Sequence, residues 1–181
     1  MKKRSAKFSA AWQVALVGIM AATVECGKLV LASIPNVEVV TLLLGLYGYV
    51  FGWLGALAAV VFVCIEPVVW GFGSWMISYF IYWPLVAIVF MLLGRIRLKN
   101  RFALAGIAVG MTVFFGVLTS LVDVGLFTGS FDRFFFRFGI YYMRGVPFYV
   151  TQATCNAVLF AAVFPFLAKR LSSAFSKLSN F

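Results

Sequence analysis

From Asn36 to Glu66 the chain runs for 31 residues with only two charged side chains, Glu38 and Glu66. No other stretch limits the possible folds so strongly. As one helix it would be about 46 Å long at 1.5 Å per residue, well beyond the ~30 Å hydrocarbon core of a bilayer. Comparable apolar runs fill most of the remaining sequence. Of the 181 residues 64% are hydrophobic and 11% charged, and the mean hydropathy is +1.06. A globular domain carries roughly 45–50% apolar residues, so the medium around most of these side chains is lipid. The expectation is an all-α integral membrane protein forming one transmembrane domain over residues 1–181, with room for about five to seven spans of ~20 residues.

The charges decide how the long run divides. The net charge is +10, yet the cations are not gathered into a face that could track phosphates. Lys2, Lys3, Arg4 and Lys7 precede the first apolar run, Arg95, Arg97, Lys99 and Arg101 occupy one polar break, and Lys169, Arg170 and Lys177 follow the last run. A single span over 36–66 would put the 95–101 break on the opposite side from the N-terminus. Splitting the run near Phe51–Gly52 gathers all three clusters on one side, the cytoplasmic side under the positive-inside rule. The sequence therefore predicts a six-helix bundle with both termini cytoplasmic and helices near 9–32, 37–50, 53–68, 76–94, 102–128 and 144–168.

The outward loops are then 33–37, 69–75 and 129–143, and the five acids, Glu25, Glu38, Glu66, Asp123 and Asp132, lie in or near the outer half. Pro35 and Asn36 suit a turn, because proline disfavours helix in the residue before it and asparagine tolerates turn geometry. Glu38 is placed to cap the incoming helix. Gly45, Gly48, Gly52 and Gly55 would let backbones approach closely around the inner turn.

Several chemistries are excluded or disfavoured. The stretch Phe8–Ile34 is too long for the ~7–15-residue apolar region of a secretory signal and reads as a retained span. Cys26, Cys64 and Cys155 lack paired spacing and suggest neither disulfides nor a metal site. With no histidine and no phosphate-binding loop, the usual imidazole base, His-containing zinc sites and an ATPase within this chain fall away. Neither an enzyme nor a resident cofactor is expected.

What remains is a set of candidate binding residues. Glu25 and Lys28, three apart near the outer end of the first helix, can pair and lower the cost of burying either charge. The segment 66–84 concentrates aromatics: Glu66 and Trp70 lead into it, and Trp75, Tyr79 and Tyr82 recur on one helix face with Trp83 adjacent. Such a face suits either an interfacial aromatic belt or a pocket for a flat, ring-containing solute. Across from it the last loop and helix offer Tyr141, Arg144, Phe148, Gln152 and Asn156. The last three are spaced by four, and intramembrane amides need partners on a neighbouring helix or a ligand. On the first helix Ala11, Ala15, Gly18 and Ala22 form a small-residue stripe for close helix docking. Spacing alone favours docking inside the bundle over docking against another subunit.

Taken together, the chain length, the six expected helices, the Ala11–Ala15 pattern, the turn IPNVEVVTLLL and the ending QATCNAVLFAAVFPFLAKRL resemble the substrate-binding S component of an energy-coupling factor (ECF) vitamin transporter. The resemblance implies a bacterial cell-membrane protein that binds a vitamin near the outer surface and hands it to a transmembrane coupling subunit driven by two cytoplasmic ATPases. Under it, Ala11, Ala15, Gly18 and Ala22 become the partner interface, and Pro35, Asn36 and Glu38 belong to a lid and turn. The IPNVEVVTLLL and WGFGSW stretches lean toward the cobalamin branch. The alternative is a stand-alone small-solute carrier or membrane scaffold whose aromatics only anchor it.

Overall fold

The computed structural model describes residues 9–127 and 131–178. Lys2, Lys3, Arg4 and Lys7 lie outside the described residues, as do residue 128, the expected end of the fifth helix, and residues 129–130 of the last expected loop. Among the described residues there are helices and no strand. Six continuous helices form, named here α1 (Ala10–Leu31), α2 (Val40–Phe51), α3 (Trp53–Trp70), α4 (Trp75–Arg95), α5 (Arg101–Phe127) and α6. The last runs through Phe134–Val158, a π-helical turn Leu159–Val163, and Phe164–Leu178.

Five of the six are long and apolar enough to cross a membrane. The 12 residues of α2 reach only about 18 Å, but that helix lies in the middle of the bundle. Leu44, Leu46 and Thr41 on it are wholly or almost wholly buried. Large apolar side chains such as Val14, Val68, Phe72 and Phe135 are mostly exposed on the outside. A water-soluble monomer would not carry so much of that surface, and lipid covers it without penalty.

The long apolar run breaks at Gly52, whose φ is +61°, a backbone state that glycine adopts without the steric cost a side chain adds. That residue ends α2 and begins α3. Beside it, Gly48 lets α2 press against α4, since a Cβ there would collide with the Ala87 carbonyl. The inner turn thus uses glycine for conformation at one position and for contact at the other.

The last helix departs from the sequence reading at both ends, starting at Phe134 where a loop was expected through 143 and extending past 168. Between Phe134 and Pro147 the chain holds no further proline, and aromatic residues accept helix where one edge of it meets other protein. Pro147 is accommodated within the helix and does not start it.

The π turn has a visible packing result. In a regular α-helix a spacing of four drifts about 40° per step, so five such residues would wander well around the cylinder. Gln152, Asn156, Phe160, Phe164 and Ala168 are nevertheless all buried. The wider i→i+5 turn between them takes back the drift and keeps the stripe inward. Phe160 and Phe164 then stack at 4.9 Å and pack on Phe90 of α4.

The small-residue stripe of α1 is not internal. Ala11, Ala15, Gly18 and Ala22 are all exposed, and a Cβ on Gly18 would meet nothing within 4 Å. The helix packs instead through Met20, Ala21 and Val24, each at most 2% exposed, which occupy a different face of the cylinder.

Candidate functional site

The α1–α2 connection, residues 32–39, crosses one end of the bundle as a short strap. Ile34 N–H bonds back to the Leu31 carbonyl at 2.9 Å, and Asn36 takes a left-handed conformation with φ +59°, which asparagine tolerates better than most residues. Directly after the turn, Glu38 accepts the Thr41 backbone N–H at 2.8 Å, satisfying a donor in the first turn of α2 as a capping acid does.

Under this strap lies a half-enclosed cavity of about 190 Å³. Pro35, Asn36 and Glu38 contribute from the strap, Lys28 from α1, Tyr79 and Trp83 from α4, Phe115 from α5 and Gln152 from α6. Three rings form one part of its wall and aliphatic side chains, Leu31, Ile34, Val37 and Val40 among them, another. Tyr79 and Trp83 meet edge to face at 5.5 Å, and Phe115 lies 6.1 Å from Tyr79 and 6.2 Å from Trp83. Trp83 is 4% exposed, and its indole N–H has no hydrogen-bond partner among the described residues.

Two carboxylate knots flank the cavity, the first around half-buried Glu38 and the second around fully buried Glu66. In the first, Glu38 gathers four donors. The Thr41 N–H is joined by the Thr41 hydroxyl at 2.5 Å, the Gln152 amide at 3.3 Å and the Asn156 amide at 2.9 Å. Asn156 also donates to the Thr112 hydroxyl at 3.1 Å, so α5 and α6 are tied to the start of α2. In the second knot, Lys28 forms its ion pair with Glu66 of α3 and not with Glu25. Glu66 is fully buried, and a buried carboxylate left without a cation is strongly destabilising. The Glu25 carboxylate instead accepts the Trp70 indole N–H at 3.3 Å. The Lys28 ammonium sits over the Trp70 ring at 4.9 Å and the Tyr79 ring at 5.1 Å.

The sequence-derived candidates separate in space. Tyr79 and Gln152 line the cavity, as do Pro35, Asn36 and Glu38. Glu66 and Trp70 stand behind Lys28, outside the lining. Trp75 touches the site only through Tyr79, 4.8 Å away. Tyr82 is fully buried in the core beside Phe115. Asn156 braces Glu38 from a fully buried position. Tyr141 is exposed, and Arg144 borders a shallow outer depression with Phe135 and Met143. Phe148 is 53% exposed while Gln152 and Asn156 are buried, so these three do not share a buried face. The drift at a spacing of four carries Phe148 outward.

Lys28 and Trp83, both noted in the sequence, also line the cavity, and Phe115 with Leu31, Ala32, Ile34, Val37 and Val40 add to the lining beyond the candidates. Trp83 was within reach of a pattern reading, because Trp75, Tyr79 and Trp83 continue at spacings of four and form a chain of edge-to-face contacts. Phe115, one phenylalanine among the 21 of the chain, carries no local signal. The free cysteines Cys26 and Cys64 face outward and Cys155 is half-buried, donating to the Glu38 carbonyl at 3.5 Å. No family model, curated protein or solved structure matches this chain.

Proposed function

We propose that this chain is the substrate-binding S component of an ECF-type vitamin importer in a bacterial cell membrane, seating its cargo beneath the 32–39 strap. The observation that carries the reading is the strapped cavity itself, where three rings and several aliphatic side chains meet a few fixed polar groups, the usual make-up of a small-molecule site. Its volume, about 190 Å³, lies below the ~300–1,000 Å³ of drug-sized ligand pockets. A corrinoid exceeds drug size, so the cargo we favour has one or two rings. Cobalamin would need the strap to swing away.

Two further features support the same reading. Arg95, Arg97, Lys99, Arg101 and Lys169 lie at the bundle end opposite the cavity, in agreement with a cytoplasmic placement of that end. The exposed Ala11, Ala15, Gly18 and Ala22 offer a coupling subunit a surface where backbones can approach closely, which is how helices associate in lipid.

The test is purification of the full chain in mild detergent, with mass spectrometry of the bound small molecule and of associated proteins. A ring-containing cargo together with a coupling subunit and two ATPases is expected. Ala15→Trp should remove the partner subunits and leave the cargo, whereas Tyr79→Ala should weaken the cargo and leave the partners. Recovery of the chain alone, with neither, would favour a stand-alone carrier or scaffold.

A further inference from the structure

The environment of the Lys28 ammonium is a cage for a cation, built from the Glu66 carboxylate and the ring faces of Trp70 and Tyr79. Ring faces attract cations through their quadrupoles, most strongly where water is excluded. Around this cage three carboxylates, Glu25, Glu38 and Glu66, share one paired ammonium, that of Lys28. Glu38 is satisfied by its four donors. The other two are not: among the described residues Glu25 Oε2 and Glu66 Oε1 meet no N–H or O–H donor although the residues are only 7% and 0% exposed, and the two carboxyl groups neighbour each other. Both atoms are acceptors, and Asn156 adds a third unpartnered acceptor, Oδ1, in a fully buried side chain.

Unpaired buried acceptors on two neighbouring carboxyl groups that share one ammonium suit a group that is cationic and rich in N–H donors. Lys28 is the hinge between this cage and the cavity, since its side chain lines the cavity and its ammonium fills the cage. Its long unbranched stem allows the head group to move without moving α1. We infer that the cargo carries a protonated amine on or beside its ring, which enters the Glu25–Glu66–Trp70–Tyr79 cage and shares or displaces the Lys28 ammonium. This rests on the binding-subunit reading and adds to it the charge of the cargo.

The experiment uses the purified full chain in lipid nanodiscs at neutral pH and three probes with one ring and different charge: phenethylamine, 2-phenylethanol and 3-phenylpropionate. Saturable elevation of the melting temperature by phenethylamine is expected, with the alcohol and the carboxylate weaker by about tenfold or more. Glu66→Gln should remove that preference while keeping the shape of the site. Trp70→Leu, which changes no charge, should lower amine affinity severalfold and serves if Glu66→Gln does not fold. Equal or tighter binding of the carboxylate would overturn the inference, because Lys28 would then be the charge that is read. An amine preference that survives both substitutions, or no response to any probe, would overturn it as well. A neutral or anionic cargo recovered with its coupling subunit would defeat this inference alone, whereas absence of both cargo and coupling subunit defeats the binding-subunit reading.

Discussion

Two glutamates at the same cavity, half-buried Glu38 in its lining and fully buried Glu66 behind it, are treated in opposite ways. Glu38 receives four hydrogen bonds from α2 and α6, whereas among the described residues Glu66 has one partner, Lys28, and an oxygen with none. In a low-dielectric interior a fully satisfied carboxylate fixes its neighbours in place, and a partly satisfied one is a standing demand for another donor. The first knot fastens the strap to α2 and α6. The second leaves valences open where a ligand can use them.

That contrast is open to direct attack, beginning with the largest effect. Glu38→Ala strips one acceptor site from four donors and leaves the Gln152 and Asn156 amides short of partners, so a loss of about 3–5 kcal/mol in thermal or denaturant unfolding in detergent is expected. A loss no greater than that of Glu25→Ala would erase the distinction between the knots. Asn156→Ala should cost about 2 kcal/mol, since it deletes a hydrogen bond to a charged group and another to Thr112. Thr41→Val, nearly the same shape, removes one hydroxyl donor from Glu38 and should cost about 1 kcal/mol by the same measurement. Glu66→Gln is expected to change stability by less than about 1 kcal/mol or to raise it, because Lys28 can turn to Glu25 and the amide can donate to the open Glu25 oxygen. A loss as large as that of Glu38→Ala would show that Glu66 is a fastener too.

Helix positions were legible in the sequence wherever a single physical signal acted alone. The basic clusters required the long run to turn back near Phe51–Gly52, where Gly52 takes the positive φ, and the polar break 95–101 separated α4 from α5. The start of α6 was hidden because its aromatic segment reads equally as interfacial loop and as helix, and contacts along one edge decide between them. At the site, Tyr79 and Gln152 stood out as ring and amide within apolar runs. Lys28 was visible too, but its choice of Glu66 over Glu25 depends on how α1 lies against α3. Spacing within one helix cannot report that choice. The outward face of Ala11, Ala15, Gly18 and Ala22 was likewise unreadable, since small residues at intervals of three and four describe a docking surface without saying who docks.

The π-helical turn in α6 acts like a vernier, one surplus residue that resets the dial for everything beyond it. Five π residues turn the chain about as far as four α residues, so deleting one residue between Leu159 and Val163 would leave the downstream half of the rod facing as it does. Forcing the same residues into regular α geometry would rotate that half by roughly a quarter turn, swinging Phe164 and Ala168 out and Arg170 toward the interior. The chain thereby stores, in five residues, the angular alignment between the end that holds the cavity and its cationic end.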